Sequence, residues 1–214
     1  MPEPVTPRAL VVDYGGVLTS PLADSMGAWV AADGVDPAAF SDLMREWLTP
    51  GAAVNPVHEL ETGALGGRDF EQALAARLRT RDGAPVPAEG LLARMFAGFA
   101  EEPAMVGVLR RAKTAGLLTA LLSNSWDNDY PREAWAELFD QVVISGEVGL
   151  RKPDPEIYLL TARRLGVEPA ECVFVDDLPP NVRGAAAVGM VGVLHTDPAS
   201  TIAELEVLLG VRLQ

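Results

Sequence analysis

Five apolar runs of strand length recur along the chain, separated by residues with helical spacing or by small turn residues. They occupy residues 9–12, 117–122, 141–144, 172–175 and 191–194. Runs that are apolar at nearly every position are typical of parallel strands in a sheet with both faces buried. Segments 103–115, 154–165 and 181–188 have helical spacing, and each is followed by a glycine. The sequence therefore predicts an α/β fold with a doubly wound, Rossmann-like and mostly parallel sheet.

About a hundred residues separate the first strand from the second, far more than a strand-to-helix connection needs. The stretch has helical patterns, broken by glycine and proline at 49–51 and 81–85, over residues 24–32, 37–48, 68–78 and 87–99. An insertion after the first strand emerges at the carboxyl end of the sheet, where α/β folds bind ligands. We therefore expect a small helical cap domain at residues 20–99 and a core domain at residues 1–19 and 100–214. The alternative is a helical subdomain that only covers apolar surface.

The composition restricts the partners and the compartment. With 30 acidic and 17 basic residues the formal charge is -13, which disfavours binding to nucleic acid or to an anionic membrane surface. The single cysteine, Cys172, lies in an apolar run, so we expect a buried thiol and neither an internal disulfide nor a cysteine-based zinc site. The first residues lack the pattern of a signal peptide, and no run is long enough to span a membrane, so we expect a cytoplasmic protein.

Carboxylates follow two of the predicted strands. Asp13 lies between an apolar strand and a glycine-rich turn, where it could attack phosphorus, bind a metal or merely cap a turn. Asp176 and Asp177 stand together at the end of a later strand. Two adjacent carboxylates repel each other unless a cation lies between them, and oxygen ligands favour Mg²⁺. The alternative for this pair is a solvated acidic loop before a helix.

Two further polar segments follow predicted strands. Ser123 and Asn124 come just after the second strand, and Lys152 precedes a helix. A hydroxyl, a backbone amide and an ammonium group directed at one oxyanion would neutralise the charge of a transferring phosphoryl group. Each residue is ordinary by itself, because Ser and Asn are common in turns and lysine is common at surfaces.

The order of these four segments resembles the signature of the haloacid dehalogenase superfamily: a nucleophilic Asp, a Ser or Thr, a Lys and an acidic pair, each after a core strand. The resemblance covers nearly the whole chain, and the helical insertion matches the first-position cap of that superfamily. It implies that Asp13 forms an aspartyl-phosphate and that Lys152 assists catalysis and holds the phosphate. Ser123 and Asn124 would bind the phosphate too.

The same resemblance implies a Mg²⁺ cofactor and a small phosphorylated substrate. The implied ligands are Asp13, the backbone carbonyl of Gly15, Asp176 and Asp177. Asn181 would support the acidic pair, and the oligomeric state stays open.

Gly15 departs from the family pattern. Phosphatases of this superfamily usually carry at this position a second Asp whose side chain protonates the leaving group. General acid catalysis is commonly worth about 10²- to 10⁴-fold. We therefore expect a substrate whose leaving oxygen needs little help, such as an anomeric sugar phosphate, or a proton donor from the cap. The candidate donors are Asp24, His58, Glu59 and Glu61.

Three other functions remain open. A 2-haloacid dehalogenase uses an Asp nucleophile on this fold, but members with that activity resemble this chain less because they lack the acidic pair. A mutase would rely on the acid that Gly15 lacks. A catalytically idle binding module would have no chemical need for a cluster of like charges.

Several other side chains are candidates for structural or substrate-binding roles. Arg45 or Arg68 could bind a second anionic group, Trp47 could stack on a substrate, and Trp126 and Asp127 follow Ser123 towards the expected site. Structural roles are predicted for Asp154 as a helix cap or a support for Lys152, for Ser200 or Thr201 as a cap of the last helix, and for His195.

Overall fold

The computed structural model describes residues 6–48, 55–127 and 130–214. The strands, all parallel, form one sheet in the order β3-β2-β1-β4-β5. Their bounds are β1 Ala9–Val12, β2 Leu118–Ser123, β3 Gln141–Ile144, β4 Cys172–Asp176 and β5 Val191–Leu194. The predicted parallel α/β sheet is confirmed, and each strand matches its apolar run to within one residue. Cys172 is buried, and burial raises the pKa of its thiol to about 11.

Helices account for most of the remaining described residues. Those between β1 and β2 are α1 Leu22–Ala32, α2 Pro37–Trp47, α3 Pro56–Glu61, α4 Gly67–Arg77, α5 Leu91–Phe96 and α6 Pro103–Thr114. Those that follow β2 are α7 Arg132–Trp135, α8 Ser145–Val148, α9 Pro155–Leu165, α10 Pro179–Ala187 and α11 Pro198–Leu209.

Alternate residues of the strands face opposite sides of the sheet, and each side has its own apolar cluster. Leu10 and Val12 pack with α6 and α11, whereas Ala9 and Val11 pack with α9 and α10. Both faces of the strands are therefore covered by helices, which explains why the strand sequences are apolar at nearly every position.

The insertion has an apolar cluster of its own, built from residues of α1 to α5 together with Val35, Leu78 and Val86. The helix α3 was not predicted from sequence, and the predicted helix 87–99 is shorter because it begins only after Gly90, at φ 66°. The predicted break at 49–51 lies outside the described residues. A separate cluster supports the expected division into core and cap, which stays a proposal.

One predicted helix cap, that of α11, is wrong. Asp197, rather than Ser200 or Thr201, caps α11, because its carboxylate accepts the N–H of Ser200 at 2.9 Å. Thr201 is buried, and its hydroxyl lies 2.9 Å from Nδ1 of His195, which gives that histidine a structural contact as expected. Asp154 occupies the N-cap position of α9, but its side chain accepts no hydrogen bond from the helix.

No helix in the described part of the chain is both long and apolar enough to cross a membrane.

The Asp197 cap can be tested by substitution. Asp197→Ala removes the acceptor for the Ser200 N–H, and the loss of an N-cap typically costs about 1 kcal/mol of stability. We expect the free energy of unfolding in urea to fall by about that amount. Glu204→Ala, which removes an exposed acidic side chain from the same helix, is the control and should change stability by less than about 0.5 kcal/mol. Equal losses in the two variants would contradict the assignment.

Candidate active site

The ends of two neighbouring strands bring Asp13 and the acidic pair together. Asp13 directly follows β1, and Asp176 is the last residue of β4, which pairs with β1. The N–H of Asp13 donates to the carbonyl of Val175 at 2.9 Å, which extends the pairing beyond β1. Asp13, Asp176 and Asp177 each place a carboxylate oxygen within 4.8 Å of the others. Distant parts of the sequence thus form one acidic cluster.

Lys152 lies in contact with this cluster. Its Nζ is 2.8 Å from Oδ1 of Asp13 and 2.6 Å from Oδ2 of Asp176, and its side chain is only 1% exposed. The same Nζ is 5.5 Å from the centre of the Phe174 ring. A buried ammonium group requires compensating charge, and here two carboxylates supply it.

The side chain of Asn124 fixes the backbone of Lys152. Its Oδ1 accepts the N–H of Lys152 at 2.9 Å, and its Nδ2 donates to the carbonyl of Lys152 at 3.1 Å. This pair of hydrogen bonds holds the lysine segment against the end of β2. The amide group of Asn124 is therefore engaged within the protein, which leaves its backbone N–H as the group that could contact a phosphate.

Asp176 is held by several donors. One of its oxygens, Oδ1, accepts the N–H of Leu178 at 2.8 Å, and Nδ2 of Asn181 lies 3.0 and 3.1 Å from its two oxygens. The carbonyl of Asn181 in turn accepts the hydroxyl of Tyr158 at 2.8 Å. Asn181 therefore supports the acidic pair by orienting its first member.

The two glycines after Tyr14 meet different surroundings. Gly16 has φ +76°, and a Cβ at this position would collide with the carboxylate of Asp177, so a glycine is required for both reasons. A Cβ at Gly15 would meet only Cζ of Phe99, at the ordinary contact distance of 3.9 Å. The space beside Gly15 is thus bounded by an aromatic ring.

Burial and charge change the acidity of the cluster. Burial, with the charges of Asp176 and Asp177, raises the pKa of Asp13 to about 7, although Lys152 opposes the shift. Burial and Asp176 raise the pKa of Asp177 to about 6. Burial alone would lower the pKa of Lys152, but the neighbouring carboxylates of Asp13 and Asp176 outweigh it and raise that pKa. With a single ammonium group among three carboxylates, the donor set fits a hard divalent cation.

Ser123 ends β2 on the same edge of the sheet. Its Oγ lies within hydrogen-bond distance, 3.0 Å, of the hydroxyl of Tyr130. Burial raises the pKa of Tyr130, so this phenol stays protonated. Sequence reasoning missed Tyr130, because nothing in the local sequence indicates which side chain this residue contacts.

A cavity of about 500 Å³ is lined by residues of the insertion together with Tyr14 and Asp127, which follow β1 and β2. Its wall includes Tyr14, which follows Asp13, and Phe99, which faces Gly15. The remaining lining residues are Gly67, Arg68, Glu71, Leu92, Ala93, Phe96 and Asp127. Arg68 and Asp127, two of the residues considered for substrate binding, are thus part of this lining.

Glu61, one of the candidate proton donors, is committed to other contacts. Its Oε2 accepts from Nε of Arg151 at 2.6 Å, and its Oε1 accepts from Nε1 of Trp126 at 3.2 Å. Its carbonyl also accepts the hydroxyl of Ser145. Glu61 therefore acts as an acceptor that joins the insertion to the residue before Lys152.

The other insertion candidates differ in position. Burial, with the charge of Arg151, lowers the pKa of His58, which disfavours its protonated form. Asp24 and Glu59 are exposed. Trp47 is buried in the insertion's own apolar cluster, and Arg45 pairs with Asp42 at the surface, so neither is part of the cavity wall described above.

Comparison with known proteins assigns the fold and the site to a family. The model of the haloacid dehalogenase-like hydrolase family matches residues 7–189. The chain therefore belongs to this family of hydrolases, and the resemblance inferred from its motifs is confirmed.

Individual relatives cover different shares of the chain. A phosphoserine phosphatase from Thermus thermophilus is 32% identical over 168 residues, which are 74% of this chain and 64% of that protein. The chain matches only 10%, 19% and 20% of the length of three mammalian relatives.

Two solved structures show the same overall fold. A predicted HAD-like family hydrolase from Porphyromonas gingivalis has a TM-score of 0.70 at 25% identity, covering 95% of this chain and 98% of that one. A dehalogenase with an intermediate complex has a TM-score of 0.59 at 25% identity, covering 86% and 83%.

The raised pKa values of Asp13 and Asp177 predict a pH-dependent stability. A carboxyl group whose pKa is higher in the folded state binds its proton more tightly there, and this proton stabilises the folded state. The stabilisation is lost as pH rises through the folded pKa. In EDTA, we expect the melting temperature of the wild type to fall between pH 5 and pH 8 relative to that of Asp13→Asn. For a chain of this size, each kcal/mol lost from the free energy of unfolding lowers the melting temperature by about 2–4 °C. Parallel pH profiles of the two proteins would contradict the assigned shift.

Proposed function

We propose that this protein is a magnesium-dependent phosphatase that hydrolyses a small phosphorylated metabolite through an aspartyl-phosphate on Asp13. The observation that carries the proposal is the meeting of three carboxylates and one buried lysine at the ends of β1 and β4. Phosphatases among the family's members, such as the Thermus thermophilus relative, support the same reaction class.

Asp13 is the proposed nucleophile. One of its carboxylate oxygens forms a bond with the phosphorus, and the bond between phosphorus and the ester oxygen breaks, so the leaving group departs with the electron pair. Water then attacks the phosphorus of the aspartyl-phosphate, which releases inorganic phosphate and restores the carboxylate. Because burial in the cluster limits the solvation of Asp13, the neighbouring ammonium group helps to keep the carboxylate ionised.

Lys152, Ser123 and the backbone N–H of Asn124 are the proposed phosphate ligands. The ammonium group of Lys152, held by two carboxylates and by the Asn124 clamp, would neutralise charge on the transferring phosphoryl oxygens. Fixing these donors before the substrate binds avoids reorganisation during the reaction. The hydroxyl of Ser123 would donate from the end of β2.

Mg²⁺ is the proposed cofactor. The residues that would hold it are Asp13, the carbonyl of Gly15, Asp176 and Asp177. When bound, it would offset the repulsion among the carboxylates and the phosphate and polarise the phosphoryl group. Asn181 and the N–H of Leu178 would keep Asp176 oriented.

Gly15 supplies no side chain to protonate the leaving group. A substrate with a stabilised leaving oxygen, among them an anomeric sugar phosphate, would tolerate this loss. The unpaired Arg68 guanidinium on the cavity wall remains a candidate for binding the leaving group, since it makes no hydrogen bond or ion pair within the described ranges.

Dehalogenation is the alternative function, because one of the solved structures with this fold is a dehalogenase. In that reaction a carboxylate oxygen of Asp13 would bond to the substrate carbon and displace the halide, forming an ester, and no metal would be needed. The convergence of Asp176 and Asp177 on Asp13 favours phosphate chemistry, because extra carboxylates would repel a haloacid's own carboxylate. A catalytically idle module fits less well, since a buried cluster of like charges opposes folding.

Turnover of p-nitrophenyl phosphate tests the proposal. We expect hydrolysis in MgCl₂, loss of activity in EDTA, and recovery when Mg²⁺ is added back. Asp13→Asn removes the nucleophile and should lower kcat by at least about 10³-fold.

Asp42→Asn is the matched control, because it removes the same charge from an exposed residue that is not part of the cavity lining. It should retain wild-type kcat. Chloride release from 2-chloropropionate that persists in EDTA, with no phosphate released, would instead establish the dehalogenase. Absence of both reactions would favour the binding module.

A further inference from the structure

The side of Gly15 that faces the cavity meets an aromatic ring. A Cβ at Gly15 would lie 3.9 Å from Cζ of Phe99. Phosphatases of the superfamily usually carry an Asp, the general acid, at the position of Gly15. The ring of Phe99 makes an edge contact with Tyr14 at 6.5 Å between centres. The leaving-group side of the proposed nucleophile is therefore flanked by carbon atoms instead of a carboxyl group.

This aromatic surface continues along the cavity. Phe96 lies 5.2 Å from Phe99 between ring centres, and both line the same wall as Tyr14 and Leu92. Leu92 is buried, and the three rings are partly exposed, so they present apolar surface to the cavity. A flat apolar group entering here would gain contact with ring faces and edges.

The charged residues of the wall are placed differently. Arg68 and Asp127 are solvent-exposed. Glu71 is partly exposed, and its Oε1 already accepts the N–H of Leu92 at 2.9 Å. Glu61, the buried acid of the insertion, has both oxygens engaged by Arg151 and Trp126. Glu61, the one buried acid among the described residues of the insertion, thus acts as a hydrogen-bond acceptor.

We infer that the substrate is an aryl phosphate, a phosphate ester of an aromatic hydroxyl group. The inference rests on the proposed phosphatase function and specifies its leaving group. An aromatic ring fits the wall formed by Tyr14, Phe96 and Phe99. A phenol also leaves readily, because its pKa of about 10 lies far below that of an aliphatic alcohol. An aryl phosphate therefore fits the aromatic wall and also needs no general acid at position 15.

The bond changes balance without a protein acid. An oxygen of Asp13 bonds to phosphorus, the bond between phosphorus and the aryl oxygen breaks, and the electron pair stays on that oxygen as a phenolate. The ring delocalises this charge, and solvent water supplies the proton after departure. A second water molecule then hydrolyses the aspartyl-phosphate. A sugar would instead place hydroxyl groups against the rings of Tyr14, Phe96 and Phe99, which offer its hydroxyl groups little hydrogen bonding.

Four esters separate the aromatic requirement from the leaving-group requirement. Phenyl phosphate has both properties, benzyl phosphate has only the ring, glucose 1-phosphate has only the stabilised leaving oxygen, and glycerol 3-phosphate has neither. We expect kcat/KM in MgCl₂ to be highest for phenyl phosphate, by at least about tenfold. Gly15→Asp, whose Cβ fits beside Phe99, should raise kcat/KM for benzyl phosphate relative to phenyl phosphate by about 10²-fold.

Phe99→Leu tests the wall independently of intrinsic reactivity. It should lower the ratio of kcat/KM for phenyl phosphate to that for glycerol 3-phosphate by about three- to tenfold. Phe40→Leu, the same change at a partly buried residue that packs on Trp29 in the insertion, should leave the ratio unchanged.

The outcomes separate this inference from the proposed function. If glucose 1-phosphate or glycerol 3-phosphate is hydrolysed as efficiently as phenyl phosphate, the inference is wrong and the phosphatase stands. An unchanged ratio in Phe99→Leu has the same meaning. If neither p-nitrophenyl phosphate nor a single one of the four esters is hydrolysed, both the inference and the proposed function are wrong.

Discussion

The buried ion cluster of Lys152 with Asp13 and Asp176 is the interaction on which the site depends. The two contacts, 2.8 and 2.6 Å, place one ammonium group between the ends of adjacent strands. Removing one partner from a buried ion pair typically costs about 3–5 kcal/mol, because the other charge is left uncompensated. Pairing of β1 with β4 sets the distance between the carboxylates, so the order of strands in the sheet decides whether the cluster can form at all.

Neutral hydrogen bonds hold each charge of the cluster in position. Asn124 binds both backbone groups of Lys152, and Asn181 contacts both oxygens of Asp176. Residue 151 extends this support to the insertion, since Arg151 pairs with the buried carboxylate of Glu61. The segment that carries Lys152 is therefore fixed from the core on one side and from the insertion on the other. Such support favours a site that is organised before the substrate binds.

The sequence predicted the sheet well, because buried parallel strands leave a strong pattern. Each strand was placed to within one residue, and Asp13, Ser123 and Asp176 lie at strand ends as expected, whereas Lys152 lies in the segment between α8 and α9. Side-chain partners across the fold were harder to predict, since nothing in the local sequence marks the contact of Tyr130 with Ser123 or of Glu61 with Arg151. The phosphate contact expected of Asn124 stays a prediction for its backbone N–H, whereas the contacts of its side chain with Lys152 were not predicted. The cap of α11 was misplaced because Asp197, Ser200 and Thr201 are all good capping residues. The hydroxyl of Thr201 instead contacts His195, a contact that the local sequence does not indicate.

The central claim is that Asp13 becomes covalently phosphorylated. The most direct measurement is mass spectrometry of peptides from protein quenched in acid during turnover of phenyl phosphate in MgCl₂. We predict a phosphoryl group on Asp13 in the wild type and none in Asp13→Asn. Continued turnover with an unmodified Asp13 in samples taken throughout the steady state, or a phosphoryl group on another residue, would contradict the account.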